Sequence, residues 1–144
     1  MNLGLRGEAL IKSFEEYRGD AYQDQGGVWT AGWGHTGPDV GPTTTCTLSQ
    51  AQQWFDADTV SAVITVSRAI YPVMTQNQFD ALVSLCFNIG SGSFGSSTLV
   101  RDMNAHNYSA AAAEFPKWDH VTGLPNPGLW RRRMAEQQLF ESTT

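Results

Sequence analysis

Two carboxyl groups and a hydroxyl group lie close together in the N-terminal part of the chain. Eight residues separate Glu15 from Asp24, and five more separate Asp24 from Thr30. A protonated carboxyl can give a proton to a leaving oxygen while a second carboxylate steers a water molecule, and a hydroxyl can hold that water. These residue types suit the hydrolysis of a glycosidic bond. The spacing alone does not establish this chemistry, because a Glu at a helix end and an Asp before a Gly turn are common surface features.

Glu15 is predicted to lie at the end of a helix. Apolar residues recur near helical spacing over residues 3–16, and Gly19 is a natural left-handed stop. In the last turn of this helix Glu15 would be partly desolvated, which keeps a carboxyl group protonated at higher pH. The adjacent Glu16 is expected to point to solvent and to raise the pKa of Glu15 only modestly, because neighbouring helical residues do not face each other.

Asp24 and Thr30 are predicted to lie on a hairpin. Residues 21–24 and 28–31 have the composition of two short antiparallel strands joined by a glycine-rich turn. Asp24 closes the first strand beside free backbone donors and should stay ionised. Thr30 lies in the second strand, where its β-branched side chain is favoured and its hydroxyl can hold a water molecule.

The rest of the chain is predicted to be mainly helical. Capping-box patterns at Thr47 and Thr75 each begin a helix, the first running to Tyr71 and the second stopped by Gly90. We expect further helices near residues 96–105, 109–116 and 128–141, and a loop over residues 119–127.

The order of these elements predicts the fold class. Strands are confined to the first third of the chain and helices follow, so the class is α+β. We expect a single domain over residues 1–144. A small antiparallel β-hairpin lobe at about residues 17–46 and a larger helical lobe, formed by the remainder, would flank an open cleft that admits a polysaccharide.

The bulk composition excludes several classes of protein. A chain of 144 residues with 41% hydrophobic residues can build one ordinary core, and its net charge of −5 disfavours nucleic acid or an anionic membrane as partner. No apolar run approaches the roughly 20 residues that cross a bilayer. Since the N-terminus also lacks the pattern of a signal peptide, we expect no membrane insertion and no export signal in the chain.

The cysteine and histidine residues indicate no metal chemistry. We interpret Cys46 and Cys86 as reduced thiols buried in helical segments, with a bridge between them as the less favoured alternative. With His106 and His120 they reproduce no zinc-binding spacing. The sequence therefore predicts neither a metal site nor a cofactor.

The run from Phe14 to Thr36 resembles the catalytic segment of the phage-type lysozymes, or endolysins, of glycoside hydrolase family 24. The family signature is a Glu, eight residues, an Asp, five residues and a Thr, followed by a Gly-aromatic-Gly-His-Thr stretch. Here the signature reads Glu15, Asp24 and Thr30, then Gly32-Trp33-Gly34-His35-Thr36. The similarity extends to residues 48–58, 85–90 and 128–136, and so covers nearly the whole chain. The sequence departs from the pattern at Glu16, where Gly is usual.

This resemblance implies a lysozyme-like fold and a muramidase that hydrolyses the β-1,4 bond between N-acetylmuramic acid and N-acetylglucosamine in bacterial peptidoglycan. Glu15 would be the general acid, and Asp24 and Thr30 would position the attacking water. The family pattern suggests inversion at the anomeric carbon. We also expect a monomer that stays in the host cytoplasm until a separate holin, implied by the phage-like resemblance, gives it access to the periplasm and cell wall.

Two further positions are assigned from the family pattern. His35 is expected to pair with Asp58 on the second helix and to tie the two lobes together, which is a structural role. Asn88 is expected either to face the cleft and bind a sugar amide or to cap its helix before Gly90.

The C-terminal basic run and the aromatic residues remain open between binding and structural roles. Arg131, in the run 131–133, would contact the peptide carboxylates of the substrate or pair with acids such as Glu136 on a solvated face. Trp33 or Trp118 would stack on a sugar ring unless it belongs to the core.

Two alternatives to hydrolysis remain at this stage. A lytic transglycosylase uses one carboxylic acid and releases a 1,6-anhydro product without consuming water. A catalytically silent wall-binding or virion structural module would keep the fold without turnover, although the presence of Glu15, Asp24 and Thr30 together argues against it.

Overall fold

The computed structural model describes residues 1–143. Seven α-helices are present, with bounds α1 Leu5–Glu15, α2 Leu48–Ala69, α3 Gln76–Ile89, α4 Ser91–Gly95, α5 Thr98–Asn104, α6 Tyr108–Glu114 and α7 Pro127–Glu141 over the described residues. A 3₁₀ turn covers Phe115–Lys117, and the strands are β1 Arg18–Gln23, β2 Trp29–Gly32, β3 His120–Val121 and β4 Leu124–Pro125. Two small antiparallel hairpins, β1–β2 and β3–β4, accompany the helices. The expected α+β class is confirmed.

The chain forms two compact units. One unit comprises residues 11–60, and the other comprises residues 1–10 together with the chain from Ser61 onward. Helices α1 and α2 each contribute residues to both units. The predicted small lobe at residues 17–46 falls inside the first of these units, and the single domain with an open cleft stays a prediction.

The first unit is built around the β1–β2 hairpin. Tyr22 pairs with Thr30 and Arg18 pairs with Gly32, so β1 has two more residues than β2 between these pairs and bulges there. The bulged residues find other partners, because Cys46 N donates to Gly19 O at 2.8 Å and Ala21 N donates to Thr44 O at 3.0 Å. The segment before α2 thereby satisfies the backbone groups that the bulge releases.

Side-chain caps begin α2 and α3 where the sequence predicted. Thr47 Oγ1 accepts from Gln50 N at 3.1 Å at the start of α2. Thr75 accepts from Gln78 N at 3.0 Å, while the Gln78 side chain accepts from Thr75 N, which completes the capping box of α3. Helix α3 supplies much of the core of the second unit and packs against α7.

The N-terminus of α1 is held by a residue far away in sequence. Gly4 N and Gly7 N donate to the two carboxylate oxygens of the buried Asp80, at 2.9 and 3.1 Å. Both glycines are required by this contact, because a Cβ on either would lie within 2.8 Å of Asp80. A carboxylate at this position also interacts favourably with the helix dipole.

Three sequence expectations are wrong in detail. Helix α1 ends at Glu15 and not near Gly19, which lies in β1, because Glu16 adopts the left-handed conformation with φ 53°. Residues 119–127 are not only a loop, since Thr122 and Gly123, with φ 49° and 81°, form a tight turn between β3 and β4. Strands are therefore not confined to the first third of the chain.

The two cysteines are free, but they do not share an environment. Cys86 is buried in α3, as expected, and burial raises the pKa of its thiol to about 11. Cys46 is partly exposed and lies before the start of α2, so its expected burial in a helix is wrong.

None of the helices among residues 1–143 combines the length and the apolar character needed to cross a membrane.

Candidate active site

Glu15 is the last residue of α1 and is half-buried. The helical hydrogen bond from Glu16 N to Lys12 O, at 3.0 Å, is the last of α1, and the left-handed Glu16 then turns the chain toward β1. Glu16 is exposed to solvent, as expected. A glycine suits such a left-handed position better than a glutamate does, which gives a physical reason for the usual Gly of the family pattern.

A glycine turn approaches the Glu15 carboxyl closely. Ala31 and His35 exchange two backbone hydrogen bonds, at 2.8 and 3.0 Å, across the turn Gly32-Trp33-Gly34. Gly34 has φ 79°, and a Cβ built on it would overlap Glu15 Oε2 and lie 3.1 Å from Cδ. The absence of a side chain at Gly34 therefore leaves the space that the Glu15 carboxyl occupies.

Asp24 follows β1 directly and is exposed. Its Oδ1 accepts hydrogen bonds from Gly26 N at 2.8 Å and from Val28 N at 2.9 Å. These two backbone donors come from the turn that joins β1 to β2, as the sequence predicted. They fix the orientation of the carboxylate, and the second oxygen Oδ2 is available for a ligand.

Thr30 lies in β2 and is 3% exposed. Its Oγ1 donates to Val28 O at 3.0 Å, so the hydroxyl proton is directed along the strand. The lone pairs of Oγ1 can then accept a hydrogen bond from a water molecule. Because Thr30 is the cross-strand partner of Tyr22, these two side chains lie on the same face of the hairpin.

Tyr22 was not singled out by the sequence, and it is the strand partner of Thr30 two residues before Asp24. Burial raises the pKa of its phenol, and the nearby charges of Glu15 and Asp24 raise it further. The guanidinium carbon of Arg18 lies 4.5 Å from the centre of the Tyr22 ring and partly offsets this rise. The pKa of this one phenol therefore depends on the charges of both carboxylates. The sequence did contain a signal for Tyr22. It stands two residues before Asp24, and side chains two residues apart in a strand lie on the same face.

His35 makes the expected contact with Asp58 and an additional one with Asp39. His35 Nδ1 lies 2.8 Å from Asp58 Oδ2, and Nε2 lies 3.0 Å from Asp39 Oδ2. The ring of Trp54 stacks on the imidazole with centroids 4.4 Å apart. With both ring nitrogens bonded to carboxylates, His35 fixes the loop after the glycine turn to α2, which is a structural role within residues 11–60.

The charges around His35 make its contribution to stability depend on pH. Burial lowers the pKa of His35, but the hydrogen bonds and charges of Asp58 and Asp39 outweigh burial and raise it above the usual value. A raised histidine pKa contributes stability that is fully present below about pH 6.5 and is lost as the pH rises through the folded value. The hydrogen bond to His35 lowers the pKa of Asp39. Asp39 therefore makes its own contribution to stability, which is lost as the pH falls through the pKa of Asp39 in the folded protein. Asp39 is 53% exposed, so its part is weakened by solvent screening.

Trp33 is half-buried at the tip of the glycine turn. Its ring contacts Tyr17, with centroids 5.4 Å apart, and the Lys12 ammonium lies 5.0 Å from its centroid. One face of Trp33 is therefore used in structural contacts, and any stacking on a sugar would use the remaining surface.

Asn88 and the basic run lie in the other unit. Gly90 N donates to Cys86 O at the end of α3, so the cap is a backbone contact and does not involve the Asn88 side chain. Instead, Asn88 Oδ1 accepts from Arg133 Nη2 at 2.7 Å. This bond fixes the Asn88 amide with its oxygen toward Arg133.

Arg132 and Arg133 are buried with Glu136, while Arg131 is exposed. Arg133 Nε lies 2.9 Å from Glu136 Oε1, but its N–H is not directed at that oxygen, so the contact is an ion pair without a good hydrogen bond. Burial lowers the pKa of Arg133 to about 10 and raises the pKa of Glu136, whose carboxylate also accepts from Ser84 Oγ at 2.5 Å. The pairing with Glu136 that the sequence offered as an alternative is therefore present, but it is buried and not on a solvated face.

A groove of about 620 Å³ lies next to Asn88 in the same unit. Its lining includes Ile89, Lys117, Trp118 and His120. Trp118 is half-buried and contributes to this groove, whereas Arg131 lies along a different depression with the exposed Trp130. The structure therefore brings Asn88 and Trp118 together and leaves Arg131 apart from them.

The chain is similar in sequence and structure to phage lysozymes. The sequence profile described as phage lysozyme matches residues 12–136. An endolysin of Acyrthosiphon pisum secondary endosymbiont phage 1 is 42% identical over 147 residues, covering 99% of each chain. The muramidase domain of SpmX from Asticaccaulis excentricus is 36% identical with a TM-score of 0.90, covering 98% of both chains. An endolysin from Escherichia coli O157:H7 phage FAHEc1 is 34% identical with a TM-score of 0.91, covering 100% of this chain and 96% of that one.

The profile spans the predicted catalytic residues and the buried ion pair of α7, and the similarity of the solved structures extends over the whole fold. The chain therefore belongs to the phage lysozyme family and is a lysozyme-type hydrolase.

Proposed function

We propose that the chain is an endolysin that hydrolyses the β-1,4 bond between N-acetylmuramic acid and N-acetylglucosamine in bacterial peptidoglycan. One observation carries the proposal. The charges of Glu15 and Asp24 both act on the phenol of Tyr22, whose strand partner is Thr30, and this shared neighbour supports a common role for the three residues. The names of the related proteins, which are endolysins and a muramidase domain, support the same substrate class.

Glu15 is the general acid in this proposal. It gives its proton to the glycosidic oxygen as the bond to the anomeric carbon breaks. The half-buried position at the end of α1 and the close approach of Gly34 restrict the carboxyl to a small set of orientations. Because the carboxyl is already oriented, the reaction does not have to pay the entropy of ordering it, and the rate of proton transfer is higher.

Asp24 and Thr30 hold the attacking water. The Asp24 carboxylate is fixed through Oδ1 by two backbone N–H groups, so Oδ2 can accept a proton from the water. The Thr30 oxygen accepts a second hydrogen bond from that water, since its own proton is given to Val28 O. A water held on the face opposite the leaving group inverts the anomeric carbon, and ¹H NMR of the first-formed anomer measures this outcome.

The substrate contacts extend the proposal to three further residues. The Asn88 amide, fixed by Arg133, presents its Nδ2 donors to a sugar or peptide carbonyl. Trp33 offers its remaining ring surface to a sugar, and the exposed Arg131 offers a cation to the carboxylates of the peptide. Asn88→Ala, Trp33→Ala and Arg131→Ala should each raise KM more than they lower kcat.

The experiment that tests the proposed acid is Glu15→Gln, with the neighbouring Glu16→Gln as matched control. Both variants remove one carboxylate of the same type, but Glu16 is exposed and follows the helix. Loss of general acid catalysis lowers the rate by about two to four orders of magnitude, so Glu15→Gln should clear purified cell walls at most at a hundredth of the wild-type rate. Glu16→Gln should retain most of the activity. Wild-type clearing by folded Glu15→Gln would overturn the assignment.

The oligomeric state and the route to the wall are part of the same proposal. We infer a monomer that needs a separate holin to leave the cytoplasm of the host. Light scattering of the purified protein measures the first point. For the second, expression in Gram-negative cells should cause lysis only after chloroform or a holin opens the inner membrane, and lysis without either would contradict it.

A further inference from the structure

We propose that Tyr22 is a substrate-contacting residue, whose phenol donates a hydrogen bond to an oxygen of the sugar that is cleaved. This inference rests on the proposed function of Glu15, Asp24 and Thr30, and it adds a fourth group to the same site.

The register of the hairpin places Tyr22 on the face of the proposed chemistry. Tyr22 is the cross-strand partner of Thr30, and partners in an antiparallel pair project on the same side of the sheet. Asp24 follows two residues later, and its N–H still bonds to Val28 O at 2.9 Å, so the strand alternation continues to Asp24. Tyr22, Asp24 and Thr30 therefore share one face.

The phenol of Tyr22 has a donor to offer. Its hydroxyl has no hydrogen-bond partner among residues 1–143, although the side chain is half-buried. Tyr17, which directly precedes β1, differs in this respect because its hydroxyl donates to Cys46 O at 3.1 Å. Burial and the two carboxylates raise the pKa of Tyr22, so the phenol keeps its proton over the whole neutral range. A protonated phenol between two acids can donate to a neutral sugar oxygen.

Arg18 restricts the ring of Tyr22. Its guanidinium lies over the ring face at 4.5 Å, within the range of a cation–π contact, and Arg18 pairs with Gly32 at the start of the hairpin. The bulge in β1 between Arg18 and Tyr22 brings the two side chains together despite their spacing of four residues. One ring face is thus covered by a cation, which restricts the ring and leaves the hydroxyl as the polar group that Tyr22 can offer to a ligand.

The recognised group is an uncharged acceptor of a hexosamine, either a hydroxyl or the carbonyl of the N-acetyl group. A charged group is disfavoured on this face, because the Asp24 carboxylate would repel an anion and Arg18 would repel a cation. Hydrogen bonds to the sugar that strengthen in the transition state contribute to the rates of glycosidases. The phenol is placed to make such a bond.

The test is Tyr22→Phe with Tyr17→Phe as matched control, assayed with soluble peptidoglycan oligosaccharides. Removing one neutral hydrogen bond to the substrate should lower kcat/KM about tenfold, while the melting temperature stays close to wild type. Tyr17→Phe removes a phenol that bonds within the protein and should lower the melting temperature with kcat/KM nearly unchanged. Unchanged kcat/KM in Tyr22→Phe would overturn the inference, and so would an equal loss in both variants.

A second measurement does not depend on activity. Tyrosinate absorbance titrations of the wild type, corrected by Tyr22→Phe, give the pKa of Tyr22. Glu15→Gln and Asp24→Asn should each lower that pKa, because each removes a negative charge that raises it. No change in either variant would remove Tyr22 from the site. If wild-type enzyme releases no sugar product, the proposed function fails, whereas an active wild type with an equally active Tyr22→Phe variant refutes this inference alone.

Discussion

Gly34→Ala should inactivate the enzyme without unfolding it, because the added methyl group takes the space of the Glu15 carboxyl. A Cβ at this position overlaps Glu15 Oε2 and lies 3.1 Å from Glu15 Cδ. Gly34 sits between Trp33 and His35, whose backbone is fixed by the two hydrogen bonds between Ala31 and His35. The glycine turn therefore has little freedom to retreat, and the carboxyl must move.

The size of the effect follows from the geometry. Ordinary contact would require the carboxyl to shift by roughly 1 Å, and a misplacement of that size can lower a rate about a hundredfold. A methyl group at φ 79° also introduces backbone strain, which for an L-residue in the left-handed region costs about 1–2 kcal/mol. For a domain of this size that strain should lower the melting temperature by about 3–8 °C.

Gly27→Ala is the matched control. Gly27 has the same φ of 79°, but a Cβ on it meets nothing within 4 Å. Both variants carry similar backbone strain, and only Gly34→Ala displaces Glu15. Cell-wall clearing measured well below both melting temperatures should fall about a hundredfold for Gly34→Ala and little for Gly27→Ala. Equal activities of the two variants would refute the reasoning that Gly34 sets the position of Glu15.

Three further predictions concern stability. Glu16→Gly relieves the left-handed backbone strain at the end of α1, and part of this gain is offset by the larger conformational entropy that glycine loses on folding. The variant should be more stable by about 0.5–1 kcal/mol in urea unfolding. A destabilised variant would contradict this. His35→Asn should lower the melting temperature most between about pH 4 and 6.5 and least at alkaline pH, where the contribution of the raised His35 pKa is lost; a pH-independent difference would show that Asp58 and Asp39 do not act through charge. Glu136→Ala leaves two buried arginines without their carboxylate and should destabilise the protein by about 3–5 kcal/mol, and a loss under 1 kcal/mol would argue against the buried ion pair.

The sequence predicted those elements whose signals are local. The capping-box patterns at Thr47 and Thr75 mark the starts of α2 and α3 because the cap and its partner are three residues apart. The turn after Asp24 was predicted for the same reason, since glycine there leaves backbone donors for the carboxylate. The fold class followed from the order of these elements, and the family followed from the resemblance of residues 14–36 to the phage-type lysozymes.

Features that depend on distant pairing were not predicted. The bulge in β1 exists because residues 44–46 supply partners for Gly19 and Ala21, and no local pattern shows this. The left-handed stop after α1 was assigned to the wrong residue, because Glu16 adopts a conformation that glutamate rarely takes while Gly19 lies in a strand. In both cases tertiary contacts override the local preference.

The candidate site was only partly visible in the sequence. The burial of Arg132 and Arg133 could not be foreseen, because the run Arg131-Arg132-Arg133 has the pattern of a solvated face, and it is the helical spacing of Glu136 that allows the pairing. The position of Tyr22 required the register of the hairpin, which the sequence leaves open when a bulge is present. Asn88 was expected to bind a sugar or cap its helix, and its bond to Arg133 is a third arrangement.

The central claim is that Glu15 protonates the leaving oxygen of a glycosidic bond while Asp24 positions the attacking water on the opposite face of the same sugar. The most direct test is mass spectrometry of the fragments released from peptidoglycan in H₂¹⁸O by the wild type and by Glu15→Gln. Hydrolysis predicts fragments with a reducing N-acetylmuramic acid that carries one ¹⁸O, and at most about a hundredth as much from Glu15→Gln. Fragments with a 1,6-anhydro end and no ¹⁸O would contradict the account, because they show that no water attacks the anomeric carbon.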